Sequence, residues 1–142
     1  MIRKAKLSDL KILTKVFIKE YSVKPYNEKW SEKRAYEKIK NYYKQGQVFV
    51  LLIKNKVEGF VICHEIIWDW GNQGFIDELA VSKKFQGNGY GKKLFQHAEE
   101  YFRRRGIRKV ALMSNTKSKA YNIYKKWGYK EENYVSMVRT LK

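Results

Sequence analysis

The stretch FQGNGYGKK, residues 85–93, sets Gly87, Gly89 and Gly91 alternating with Asn88 and Tyr90, with Gln86 ahead and Lys92 and Lys93 behind. Glycines at this spacing strip side chains from a turn and let a ligand reach the backbone. Apolar periodicity places a helix directly after the turn, so the N–H groups from Gly87 to Gly91 and the helix dipole form a cradle for an anion. Lys83, Lys84, Lys92 and Lys93 surround it with positive charge. The chemistry that suits the loop is binding of a phosphate or pyrophosphate. On spacing alone, a plain glycine-rich connection with solvated lysines is the competing reading.

Two familiar phosphate motifs fail at this loop. A P-loop needs a glycine five residues before Gly91-Lys92 and a Ser or Thr after the lysine, but Gln86 and Lys93 stand there. A dinucleotide fingerprint needs G-x-G-x-x-G directly after a strand and an acid about 20 residues on. The glycines here are evenly spaced, and Gly106-Ile107-Arg108 occupy the place of the acid.

The elements that position the loop follow from periodicity. IRKAKL opens as a short strand, and Ser8 with Asp9 begins a helix whose Leu13, Val16, Phe17 and Tyr21 share a face, broken by Pro25. Ser31 caps a second helix with Ala35, Ile39 and Tyr42 on one side and Gly46 as its stop. Strands follow at 48–53, 57–68 and 75–81, joined by turns at 54–56 and 71–74. After the glycine loop, Leu94, Ala98, Tyr101 and Phe102 make one helical stripe ending at Gly106. Residues 109–114 read as a strand and 119–127 as a short helix ended by Gly128. Residues 134–141 read as the closing strand. The order β-α-α-β-β-β-α-β-α-β implies a mixed sheet flanked by helices, in one domain spanning 1–142.

Composition bounds the classes. At 44% apolar and 15% aromatic with one proline, the chain is a folded domain without a linker. No apolar run is long enough to span a membrane, and the basic start develops no signal peptide. The lone Cys63 suits a reducing cytoplasm, and with only His64 and His97 beside it no metal site is expected. With 31 Lys+Arg against 14 Asp+Glu the net charge is +17, a field that attracts nucleic acid, a membrane surface or a phosphorylated cofactor. A solubilising surface explains the charge equally well.

Gln86-Gly87-Asn88-Gly89-Tyr90-Gly91 matches the Q/R-x-x-G-x-G/A signature of the GNAT N-acetyltransferases, which this chain resembles. AYNIYKKWGY (120–129) is similar to that family's second signature, A-x-x-x-Y-x-x-x-G-F/Y. The resemblance implies a GNAT fold of the α/β (α+β) class, with about six to seven strands splayed after the fourth and four helices. It implies acetyl-CoA as cosubstrate and direct transfer of its acetyl group to an amine. Carried onto this chain, Gln86, Gly87, Asn88, Gly89, Tyr90, Gly91 and Lys92 bind the pyrophosphate. Leu79, Ala80 and Val81 line the pantetheine arm, beside a wedge opened by the strand Val110 to Ser114. Tyr124 touches the cofactor near its sulfur and donates a proton to the leaving thiolate. Many relatives carry an asparagine seven residues before the tyrosine; Lys117 stands there, and Asn115 is the expected substitute.

The implied reaction needs a base, because an ammonium cannot attack until it loses a proton. Asp77 and Glu78 are the candidates. Adjacent strand residues face opposite ways, so one is expected to face the substrate, Glu78 by preference; Asp77 or a water relay stays open. EIIWDWGNQG (65–74) puts Glu65 and Asp69 beside Trp68 and Trp70, a combination suited to a cationic amine. Tyr26, Trp30, Tyr42 and Tyr43 are further candidates for the same mouth, or for helix packing. Peptide N-termini, lysines, polyamines and small amines all fit. A nucleic-acid- or ribosome-associated module using the basic clusters at 103–109 and 125–126, and a non-catalytic acyl-CoA sensor, are the alternatives. Both monomer and homodimer are compatible with the chain.

Overall fold

A computed structural model describes all residues, Met1–Lys142. Five strands form one sheet in the order β1 (Ile2–Lys4), β2 (Gln47–Ile53), β3 (Lys56–Trp68), β4 (Gly71–Val81) and β5 (Val110–Leu112). Neighbours from β1 to β4 are antiparallel, and β5 runs parallel to β4. The two-residue turn between β2 and β3 puts Lys54 and Asn55 at φ of 50° and 62°, the twist that suits a tight hairpin.

Four helices cover the sheet. α1 (Leu10–Tyr21) and α2 (Glu32–Gln45) bury Leu13, Phe17, Ala35 and Ile39 against Val48, Val50, Phe60 and Ile62 on one face. Ser31 caps α2 as its type predicts, accepting from the Arg34 N–H. α3 (Tyr90–Arg104) buries Leu94, Phe95, Ala98 and Phe102 against Phe49, Leu51, Val61 and Ile76 on the other. The Tyr124 and Trp127 rings of and beside α4 (Lys119–Lys126) pack on that second core. Gly74 lets α3 approach closely: a Cβ there would lie 2.6 Å from the Phe102 ring. No helix is long and apolar enough to cross a membrane.

The sheet departs from the expected strand number at its C-terminal end. Residues 134–141 form no strand, and Tyr134, Met137 and Val138 are 88%, 88% and 90% exposed. β-branched and aromatic residues favour a strand only where a ladder partner exists, and β5 pairs over only three residues. The splay itself is present. β4 and β5 pair from Gly74/Val110 to Ile76/Leu112 and then diverge, leaving Glu78 through Val81 paired only with β3.

Candidate active site

The glycine loop leads from a short 3-10 turn (Lys83–Phe85) into α3. Gly87 and Gly89 take φ of 79° and 82°, a left-handed backbone that other residues adopt at a cost, and a Cβ on either would meet nothing within 4 Å. The backbone N–H groups of Gly87 through Lys92 find no acceptor in the protein; helical bonding begins with Lys93 N–H to the Gly89 carbonyl at 3.1 Å. Free donors at the positive end of a helix, with no side chain above the glycines, fit a pyrophosphate.

Gln86 is placed differently from the rest of the loop. Its backbone N–H donates to the Lys83 carbonyl, and its side-chain amide donates to the Val81 carbonyl at 2.8 Å and to Glu20 at 3.2 Å. Glu20, on α1, also accepts the Lys83 N–H at 3.1 Å. Gln86 therefore ties the loop to β4 and α1. Asn88 folds back on the carbonyls of Phe85 and Gln86 and stiffens the turn.

The splay opens a cleft between β4, β5 and α4. Its walls include Glu78, Leu79, Leu112, Asn115, Ser118 and Tyr124. Leu79 and Val81 pack toward α3 and Ala80 toward α1 and α2. Their side chains are core, while their backbone edge on the β5 side has no partner strand. Asn115 lines the cleft, but its Oδ1 accepts the Lys117 N–H at 2.9 Å and its carbonyl accepts from Ser118, so it shapes the turn before α4.

Tyr124 stands against Phe95, ring centroids 5.4 Å apart, with its edge in the cleft. Burial, with Tyr26 and Glu78 adding to it, pushes its phenol up to about 12. It keeps its proton at neutral pH, as a proton donor must.

Asp77 and Glu78 do not face opposite ways. The β3–β4 register shifts between Ile62 and Cys63, pairing Ile62 with Glu78 and Cys63 with Ile76, so Asp77 is the extra residue of a bulge. The bulge breaks the alternation that the sequence implies, and both carboxylates belong to the α1–α2 side. Glu78 accepts from the hydroxyls of Tyr21 at 2.7 Å and Tyr42 at 3.0 Å. Asp77 meets His64 Nδ1 at 2.6 Å. Burial raises Glu78 above its ordinary range, the Tyr21 and Tyr42 hydrogen bonds opposing it. Burial likewise raises Asp77, against the pull of His64.

Sequence reasoning missed Glu20, His64 and the hydroxyl of Tyr21, because each acts through a partner far along the chain. Of the four aromatics offered for the mouth or for helix packing, Tyr26 lines the cleft, Tyr42 bonds Glu78, and Trp30, Tyr42 and Tyr43 pack on the α1–α2 core. The tryptophan turn does not reach the cleft. Trp68 and Trp70 sit at the β3–β4 hairpin tip, about 20 Å along β4 from Asp77 at ~3.3 Å per residue. Their neighbours are already paired, Glu65 with Arg105 and Trp70 with Lys109.

The acetyltransferase (GNAT) family model matches residues 15–129. An uncharacterized N-acetyltransferase of Archaeoglobus fulgidus is 34% identical over 120 residues, covering 78% of each chain. Another, of Methanocaldococcus jannaschii, is 30% identical over 141 residues, covering 94% of this chain and 62% of its own length. In fold, the chain matches a possible acetyltransferase of Clostridium difficile 630 with a TM-score of 0.87 at 18% identity, covering 100% of this chain and 97% of that one. A predicted acetyltransferase of Clostridium acetobutylicum, solved with acetyl-CoA, matches with a TM-score of 0.76 at 16% identity, covering 98% and 95%. The free-donor loop, the splayed strands and the tyrosine of α4 thus occur together in a sequence that the family model matches over most of its length: the chain belongs to the GNAT acetyltransferase family.

Proposed function

We propose that this protein transfers the acetyl group of acetyl-CoA to a primary amine. The observation that carries the reading is a continuous path: free N–H groups from Gly87 to Lys92, the unpaired edge of β4 from Leu79 to Val81, then the cleft where Glu78 and Tyr124 meet. Acetyl-CoA, when bound, supplies an activated acetyl thioester whose leaving group is a thiolate. The loop N–H groups of Gly87, Asn88, Gly89, Tyr90, Gly91 and Lys92 would hold its pyrophosphate, with Gln86 fixing the loop from behind. Leu79, Ala80 and Val81 offer backbone groups to its arm, and Asn115 shapes the far wall of the cleft.

Glu78 takes the proton from the incoming ammonium. Burial gives it a higher proton affinity than a surface carboxylate, a better match to that task. Asp77 stands ready on the same face. Tyr124 gives its proton to the departing sulfur and is reprotonated by the second proton that the nitrogen sheds as the amide forms. The single free cysteine, buried in the sheet, fits a reducing cytoplasm.

Release of CoA thiol from acetyl-CoA, measured against N-terminal peptides, lysine peptides, polyamines and small amines, tests the reading. Amine-dependent release is expected. Tight acetyl-CoA binding with silence across the panel would leave a sensor in its place, and no acetyl-CoA binding would remove the path as an explanation.

A further inference from the structure

We infer that the acceptor mouth holds a second positive charge beside the reacting nitrogen, so that the amine substrate is a dication of the diamine type. The inference rests on the reading of the cleft as an acceptor site.

The first observation is a surplus of carboxylate that no lysine or arginine contacts. The chain has 31 Lys+Arg, yet neither Asp77 nor Glu78 forms an ion pair with any of them. Their partners are His64 and the hydroxyls of Tyr21 and Tyr42. Lys38 acts on both carboxylates only from beyond ion-pair distance; half-buried carboxylates with so weak a partner are costly, and a cationic ligand relieves that cost. Acetyl transfer takes two protons from the ammonium nitrogen; one ends on the CoA sulfur by way of Tyr124, so a single carboxylate suffices for the other. Two stand here, and Glu28 adds a third to the local field, pushing Glu78 further up.

The second observation says where the extra charge goes. The Lys38 ammonium of α2 lies 5.7 Å over the Trp30 ring and 5.1 Å over the Tyr42 ring, and no carboxylate is within ion-pair distance of it. Ring faces flanked by carboxylates bind ammonium groups. Glu28 is fixed at the same place, accepting the Trp30 indole N–H at 2.9 Å. Tyr42 links this box to the cleft, since its hydroxyl bonds Glu78. The box therefore holds an ammonium already, contributed by a half-buried lysine that can turn outward into water. A ligand cation takes over the ring faces and frees Lys38. The reacting nitrogen cannot use this site, because it must be neutral when it attacks. A second, permanently charged group can.

The test is calorimetric titration of the protein saturated with CoA, at neutral pH, with butylamine and with 1,4-diaminobutane. We expect the diamine to bind about tenfold tighter or better, a ratio worth ~1.4 kcal/mol. Glu28→Gln brings the two amines close to parity. Lys38→Met acts in the opposite direction and tightens the diamine, because it removes a competing cation. A dipeptide amide with N-terminal lysine, titrated alongside, distinguishes a small diamine from a peptide end as the source of the charges. Equal affinity for the two amines, including none detectable for either, overturns the inference, as does weaker diamine binding in Lys38→Met. Acetyl transfer is followed separately: a diamine that binds preferentially while no amine of the panel is acetylated leaves the subsite standing and removes the transferase reading.

Discussion

The Glu20 carboxylate and the Gln86 side-chain amide lie 3.2 Å apart across 66 residues of sequence. Through this contact α1, which otherwise packs on the sheet face opposite α3, holds the glycine loop. Glu20→Ala leaves Gln86 with one acceptor and the Lys83 N–H with none; both residues are exposed and reach water, so the loss is that of ordinary hydrogen bonds, about 0.5–1.5 kcal/mol each. Acetyl-CoA affinity should fall with it. Unchanged stability and unchanged affinity in a titration would show that the tether is incidental.

Gly89→Ala and Gly91→Ala separate backbone strain from ligand contact. Gly89 has φ of 82°, so alanine there costs about 1–2 kcal/mol in the left-handed region. Gly91 lies in the first turn of α3 without positive φ, and its new Cβ meets nothing within 4 Å. Alanine at that position should hold or raise the melting temperature, by up to ~1 kcal/mol of helix propensity. It should still weaken acetyl-CoA, because the methyl group stands over the free donors. If Gly91→Ala binds acetyl-CoA normally, the cofactor does not approach that face.

Tyr124→Phe removes the hydroxyl and keeps the ring against Phe95. The expected result is a fall in kcat of about 10²–10⁴-fold with near-normal acetyl-CoA binding. A variant that turns over at the wild-type rate would return Tyr124 to the core and leave protonation of the thiolate to water.

Glu78→Gln has consequences for rate and for stability. If Glu78 is the proton acceptor we propose, its loss should lower kcat by about 10²–10⁴-fold. Its folded pKa is raised above the unfolded value, so the protonated form favours folding. That contribution is present below the ordinary glutamate range and is lost as pH rises through the raised value. Glutamine cannot ionise, so Glu78→Gln should melt higher than wild type at pH 7, and the gain should vanish as pH falls below ~4.3, the ordinary glutamate value. Melting curves at both pH values check the sign; a gain that grows toward acid would contradict it.

The amino-acid sequence by itself determined the parts of this protein that depend on local chain chemistry. Gly87, Gly89 and Gly91 before an apolar stripe specify a bare turn at a helix start, because glycine leaves the turn without side chains and, at Gly87 and Gly89, adopts the left-handed backbone freely. The stripes Leu13-Phe17-Tyr21 and Leu94-Ala98-Phe102 specify which helix faces are buried. Tertiary structure alone decided the chemistry of the carboxylates. Strict alternation puts Asp77 and Glu78 on opposite faces, and a one-residue bulge against β3 puts them on one. The partners Tyr21, Tyr42, His64 and Glu20 come from distant segments, so no local pattern encodes them. The same reason removed the closing strand: residues 134–141 have the composition of a strand, but a ladder requires a partner edge, and whether one is in reach is a property of the whole fold.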